Sequence, residues 1–277
     1  MPDIYITGET INNICDVSIY KRSYVDSYPV IKYYCKNILY IDEKNDMNII
    51  TSSTTFFTKM DWINYFIDNI MPFIKKPFIL VTHNSDYMSG THNIILKNNL
   101  LMKWYGQNMN IITDKTECLP IGLENIMWNR TNFKTIDTCK SNKKTKLLYL
   151  NFNLSTNKNR GHIMNTLSHF KRNNNKKWDE YMKELSEYKF SISPEGNGID
   201  CHRTWECLYL GVIPIVIKSN CMSYFKELPI LFVDNYDCIN EPYLLEQYTH
   251  FQNKQFNLEK VDINYWKKTI YHLSGLK

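Results

Sequence analysis

Phe190–Ser219 reads FSISPEGNGIDCHRTWECLYLGVIPIVIKS and holds a complete strand–loop–helix–strand unit. Phe190–Ser193 is a short apolar run of the kind that forms a buried strand. Pro194-Glu195-Gly196-Asn197-Gly198 is a sharp loop whose two glycines let backbone N–H groups approach a ligand. Asp200 is expected to cap a helix beginning at Cys201. That helix would start at the loop with its first N–H groups and positive dipole end free, a natural anion site. Arg203 and Glu206 are three apart and share a helix face near that end. Gly211 closes the helix and Pro214 enters the next strand. The arrangement suits a nucleoside diphosphate, with N–H groups and arginine for the phosphates and the carboxylate for ribose hydroxyls. The same residues also fit an ordinary βαβ unit whose glycines are turns and whose Arg203–Glu206 is a surface pair. The loop is neither G-x-G-x-x-G nor G-x-x-x-x-G-K-[ST].

Outward from this unit the same alternation continues. Strands are expected at Asp3–Thr7, Ile38–Ile41, Asn48–Ser52, Phe78–Thr82, Asn110–Thr113, Lys146–Asn151, Phe190–Ser193, Val212–Ile217 and Ile230–Val233. Helices are expected at Asp61–Ile74, Thr91–Tyr105, Arg160–Lys171, Trp178–Tyr188, Cys201–Leu210, Cys221–Leu228, Tyr243–Gln252 and Ile263–Leu273. Continuous apolar runs alternating with helical periods predict an α/β fold with parallel sheets. Thr131–Thr145 is polar apart from Phe133 and Ile136 and reads as a linker. It divides the chain into 1–135 and 145–277, two Rossmann-like domains, and the last helix, with Trp266, can pack on either. In open α/β sheets ligands sit beyond the carboxyl ends of the strands, here in a cleft between the domains.

Composition narrows the class. The chain has 277 residues, 43% apolar and 22% charged, with 14% aromatic, values of an ordinary globular protein and not of a disordered one. No stretch is long and apolar enough to span a bilayer. The net charge is only +5, from 33 basic and 28 acidic residues. The densest basic runs, Lys140–Lys146 and Lys171–Lys177, are Asn-rich and do not interleave aromatics, so a nucleic-acid partner is not expected. Eight cysteines form no C-x-x-C and no zinc-ligand spacing. Free thiols are expected, and with no basic-then-apolar leader at Met-Pro-Asp-Ile-Tyr a cytoplasmic location is expected.

The quoted segment resembles the C-terminal motif of exostosin-type glycosyltransferases, an apolar strand, Pro-x-Gly, a short loop, Arg-x-x-Glu and a Gly-x-x-Pro-Val-type strand. The matching residues are Ser193-Pro194-Glu195-Gly196, Arg203-Thr204-Trp205-Glu206 and Gly211-Val212-Ile213-Pro214-Ile215-Val216. The resemblance implies a GT-B fold and an inverting transfer without an obligatory metal or other cofactor. The nucleotide sugar, a UDP-sugar by preference, would be held mainly by the second domain. Phe78–Asp86, with His83 in the loop after the strand, is similar to a strand and His-Asp loop of that family. Leu119-Pro120-Ile121-Gly122-Leu123 is similar to a Pro-x-Gly stretch before the interdomain linker, and Asn151–Arg160 to the first nucleotide-domain loop, where an Arg or Lys meets the pyrophosphate. The chain is short for the family, and the family's usual membrane anchor is not expected in it.

The expected nucleotide-sugar residues are Arg160, Ser193, Glu195, Gly196, Asn197, Gly198, Asp200, Arg203 and Glu206, with Lys218 a weaker candidate. Positive charge and helix N–H groups would stabilise the departing diphosphate. A base from the first domain would take the proton of a glycan or glycoconjugate hydroxyl. Asp86 is the first choice, His83 is either the base or its orienter, Glu9 is the alternative, and Glu124 follows. Among the tryptophans, Trp205 reads as packing and Trp128 as a candidate wall of the acceptor side. No Asp-x-Asp ends a strand, which lowers the metal-dependent class. Two other readings compete. One is an α1,3-fucosyltransferase-like enzyme using GDP-fucose, against which Cys207 stands where a Lys would follow Glu206. The other is an inactive sugar-binding or scaffold protein.

Overall fold

The computed structural model describes residues 4–275. Ten strands form two parallel sheets. β1 (Val17–Tyr20), β2 (Ile38–Tyr40), β3 (Thr55–Thr58), β4 (Phe78–Thr82), β5 (Leu101–Gln107) and β6 (Thr116–Leu119) make a six-stranded sheet in the order β2-β1-β3-β4-β5-β6. β7 (Lys146–Tyr149), β8 (Tyr188–Ile192), β9 (Ile213–Ile217) and β10 (Leu231–Val233) make a four-stranded sheet in the order β10-β9-β8-β7. Neighbouring strands pair parallel throughout both sheets. Buried parallel strands need apolar residues on both faces, and Phe78-Ile-Leu-Val-Thr of β4 is buried at every position. The expected α/β class with parallel sheets is what the chain adopts.

Several elements differ from the sequence reading. Asn48–Ser52 is not a strand but part of the helix Met47–Ser52, started by Asp46, whose carboxylate accepts from the Asn48 N–H at 2.9 Å. The expected helix Thr91–Tyr105 is a single turn, Asn93–Leu96, followed by β5. Between them the Leu100 N–H turns back onto Asn98 Oδ1 at 2.8 Å, which ends the helical path. Asn110–Thr113 is irregular, and the strand lies later, at β6. Of the expected strand Asp3–Thr7, Asp3 lies outside the described residues. Tyr5–Thr7 pair with no strand: the Ile6 N–H donates to the Tyr209 hydroxyl and the Ile6 carbonyl accepts from Leu123 N–H. The stretch read as a linker contains the helix Phe133–Cys139, whose Ile136 and Cys139 pack with Met182, Leu185 and Cys207.

The six-stranded sheet carries the largest core, and that core continues into the second half through Trp205, Cys221, Met222 and Phe225. Cys118 of β6 and Cys221, just past β9, bring their sulfurs to 3.3 Å within it. The helix Ile263–Ser274 packs on the six-stranded sheet, with Trp266 and Ile270 fully buried and the Trp266 ring against Tyr105. A separate core of Leu148, Phe190, Ile192 and Ile215 fills the four-stranded sheet. The carboxyl ends of the two sheets meet. Loops after β4, β5 and β6 contact the loop after β8, and the site lies there.

Candidate functional site

The loop after β8 is held from both sides. On its own side Arg160, at the start of the helix Arg160–Thr166, is almost fully buried and donates Nε to Glu195 O at 2.8 Å, Nη2 to Pro194 O at 3.1 Å and Nη1 to Asn153 O at 3.0 Å. Gly196 N–H closes onto Gly198 O at 3.0 Å, which makes the sharp turn read from Pro194–Gly198. From the other sheet Asn108, after β5, presses on the loop so closely that a Cβ at Gly198 would lie 2.5 Å from Asn108 Nδ2. A side chain at 198 would have to displace the Asn108 amide from its bonds to Ser85 O and the Asp200 N–H. Asn108 Oδ1 also accepts from the Asp200 N–H at 2.9 Å, and Asn197 Nδ2 donates to Asp86 Oδ2 at 3.2 Å. The expected donor loop and the first-choice base are thus brought together.

Asp200 does not cap the helix. The helix is His202–Tyr209, capped by Cys201 with no side-chain bond. The Asp200 carboxylate is instead buried against β6, where Oδ2 accepts from Ile121 N–H at 2.8 Å and both oxygens accept from Trp205 Nε1 at 2.8 and 2.9 Å. Burial raises its pKa to about 6, against the opposing pull of those N–H bonds. Trp205 is fully buried and packs edge-on to Phe225. Ser193 Oγ lies 2.8 Å from Thr204 Oγ1 and 3.1 Å from Cys201 Sγ, so it fastens the strand to the helix start.

Arg203 and Glu206 are not a surface pair. Glu206 is 7% exposed, and its oxygens accept from Trp178 Nε1 at 3.2 Å and Tyr181 OH at 2.8 Å. The Tyr181 hydroxyl in turn accepts from Arg203 Nε at 2.9 Å. Arg203 Nη1 donates to Asn151 O, just past β7, and its guanidinium lies over the Tyr149 and Tyr181 rings. Among the described residues the arginine ion pairs are Arg22–Glu43 and Arg130–Glu124. Neither Arg160 nor Arg203 makes a direct ion pair among the described residues; both are held by carbonyls, a hydroxyl and ring faces. Glu206 reaches Arg203 through the Tyr181 hydroxyl, and burial of the Arg203 guanidinium is outweighed by Tyr181 and Glu206, which raise its pKa. Burial, and then the Arg203 charge, pull the Arg160 pKa down. Half-buried Glu195 has its pKa raised by burial, and among the described residues its carboxyl has no hydrogen-bond partner. Lys218 is exposed and paired with Asp234 at 2.9 Å.

The three expected bases separate. Glu9 is buried and its oxygens accept from the Ile126 and Met127 N–H groups, both at 3.1 Å. His83 is 1% exposed, with Nε2 on Pro120 O at 2.9 Å and Nδ1 on Asn84 Oδ1 at 3.0 Å, and burial lowers its pKa. Neither nitrogen of His83 nor either oxygen of Glu9 is left without a protein partner. Asp86 is exposed and lines a cavity of about 260 Å³ with Lys59, Asp61, Asn84, Gln107 and Trp128. Trp128 stands 41% exposed there, edge-on to Tyr28. Glu124 lines a neighbouring cavity of about 550 Å³ with Arg130, Trp178, Asp179 and Glu206.

His202 lines both cavities. It was not among the residues singled out in the sequence, and its position rests on a contact with Gly122 O, 2.8 Å from Nδ1, eighty residues away. Lys59 and Asp61, 3.7 Å apart, were also missed, because the strand they follow, β3, was not read. The switch in strand order falls between β1 and β3, so an alternation reading that found β3 would have pointed at them. Among the described residues no three His, Cys, Asp or Glu side chains converge as a metal-binding group, and no helix is long and apolar enough to cross a membrane. No protein-family model matches the chain, and no curated protein matches it.

Proposed function

We propose that the chain is a glycosyltransferase of GT-B type that moves a sugar from a nucleoside diphosphate, UDP by preference, to a hydroxyl of a glycan or glycoconjugate. The observation that carries this reading is the pair Arg160 and Arg203. Two guanidiniums, neither in a direct ion pair among the described residues, lie near enough at the carboxyl edge of the four-stranded sheet for one charge to act on the other, and the nearest carboxylate, Glu206, reaches Arg203 only through Tyr181. Such a pair is costly unless an anion joins it, and a diphosphate supplies the matching charge and geometry. Glu206, on the wall of the larger cavity, suits ribose hydroxyls, since each oxygen keeps a lone pair beyond its bond to Trp178 or Tyr181. Glu195, beside the arginines and unpartnered among the described residues, suits the donor sugar.

In the reaction the acceptor oxygen attacks the anomeric carbon as the bond from that carbon to the phosphate oxygen breaks. The electron pair leaves with the diphosphate, and the acceptor proton passes to a base. Asp86 is the base we favour, because it is exposed and lines the smaller cavity, whereas Glu9 and His83 are buried and line neither cavity. The arginines and helix N–H groups would stabilise the leaving charge without a metal. Incubation with UDP-, GDP- and CMP-sugars and a mixture of methyl glycosides, followed by release of the free nucleotide, tests the reading. Nucleotide release from a UDP-sugar in EDTA is expected. Release from GDP-fucose alone favours the fucosyltransferase-like alternative, and neither release nor binding with any donor refutes transfer.

A further inference from the structure

We infer that His202 is a diphosphate-binding residue of this site, its Nε2 donating to the terminal phosphate that leaves with the nucleotide. The inference rests on the glycosyltransferase reading. His202 is the first residue of the helix His202–Tyr209, one position before Arg203, so its ring stands at the helix end where the first N–H groups have no intrahelical partner. Its Nδ1 faces the Gly122 carbonyl at 2.8 Å. A carbonyl oxygen only accepts, so Nδ1 carries the proton of that bond and the ring orientation is fixed. Nε2 has no protein partner among the described residues, and His202 lines two cavities at once. On one side are Glu206 and Trp178, on the other Asp86 and Asn84.

His202 therefore stands where a donor held by Glu206 and an acceptor facing Asp86 must meet. The atom of the donor that lies between nucleoside and transferred sugar is the terminal phosphate. The bound diphosphate supplies the anionic oxygen that a second ring N–H, at Nε2, meets while the first meets Gly122 O. As the anomeric bond breaks, that second N–H meets the oxygen that gains negative charge. The acceptor proton goes to Asp86, so His202 transfers nothing and serves as a fixed donor.

The two amide side chains separate the two nitrogens of His202. Asparagine places its NH₂ near the position of Nδ1 and keeps the bond to Gly122 O, while losing Nε2. Glutamine reaches the position of Nε2 and loses the Gly122 bond. Titration calorimetry with UDP and UMP, and in parallel GDP and GMP, reads the difference. His202→Asn is expected to bind the diphosphate about tenfold or more weaker, the range of a charge-assisted hydrogen bond, and the monophosphate within about twofold of wild type. His202→Gln is expected to regain most of the preference for the diphosphate. Equal diphosphate affinity in wild type and His202→Asn overturns the assignment, and so does an equal loss for diphosphate and monophosphate, which would mark a structural role. A wild-type protein that binds none of the four nucleotides refutes the transferase reading itself, and the assignment with it.

Discussion

Asp200 ties the donor loop to β6, and its carboxylate does so at a cost that depends on pH. Its oxygens take the Ile121 N–H and the Trp205 indole N–H, yet burial outweighs these bonds and raises the pKa from 3.8 to about 6. Asp200 is only 2% exposed, so solvent screening does not discount the effect. The difference is worth roughly 3 kcal/mol. The sign follows from proton counting. Between the two pKa values the folded protein binds more protons than the unfolded chain, so this group makes stability fall as pH rises. Its penalty is absent below the unfolded pKa and complete above about 6. Asp200→Asn removes the titration; its amide oxygen at the Oδ2 position still accepts from Ile121 and Trp205, while its NH₂ at the Oδ1 position meets the Trp205 N–H, a fixed cost that does not vary with pH. Urea unfolding of wild type and variant at a series of pH values isolates the term, since the other carboxylates cancel in the difference. Between pH 4 and pH 7 the stability difference should move by about 2–3 kcal/mol in favour of the variant. A difference that stays flat, or moves toward wild type as pH rises, would refute the reasoning.

Three further outcomes follow from particular contacts. Arg203→Lys should leave a folded protein but weaken UDP binding by roughly tenfold or more, because an ammonium cannot hold Tyr181, Asn151 and a phosphate in one plane; calorimetry that finds unchanged affinity moves the phosphates elsewhere. Asp86→Asn should bind UDP within about twofold of wild type and lose about 10²–10⁴ in nucleotide release from a UDP-sugar in the presence of acceptor, whereas full activity would assign the base elsewhere. Gly122→Ala should lower the thermal midpoint by several degrees, since Gly122 has φ +70° and a Cβ there would lie 2.2 Å from Ile6 O; an unchanged midpoint would contradict that contact.

The second half of the chain was the more legible. β8, β9 and β10 are short runs of Ile, Val and Phe set off by Pro and Gly, and both the period and the punctuation point the same way. The first half hid four strands, β1, β3, β5 and β6. β1 and β3 are four residues each, and Ser18 and the threonines of β3 interrupt the apolar signal. Ser18 is buried because its hydroxyl meets Asn12 Oδ1, a partner that no window of sequence reveals. Ile49 and Ile50 read as strand, but the capping Asp46 decides for a helix.

Site residues divide on the same principle. Loop chemistry at Pro194–Gly198 is local and was readable. What Glu9, His83 and Asp200 do is set by backbone groups 37 to 118 residues away, so residue type and position after a strand were insufficient. Asp200 reads as a cap only as long as Ile121 and Trp205 are out of view. The alternative reading of Glu206 as half of a surface pair fails because Trp178 and Tyr181 cover it.

The most direct test is the thermal midpoint of the wild-type protein with UDP in the presence of EDTA. Arg160 and Arg203, neither in a direct ion pair among the described residues, and the start of the His202–Tyr209 helix predict a ligand that binds only the folded state. At a hundredfold excess over its Kd UDP should add about 2.7 kcal/mol and raise the midpoint by several degrees. A midpoint that does not move with UDP, GDP or CMP would contradict a nucleotide-sugar site at Arg160 and Arg203.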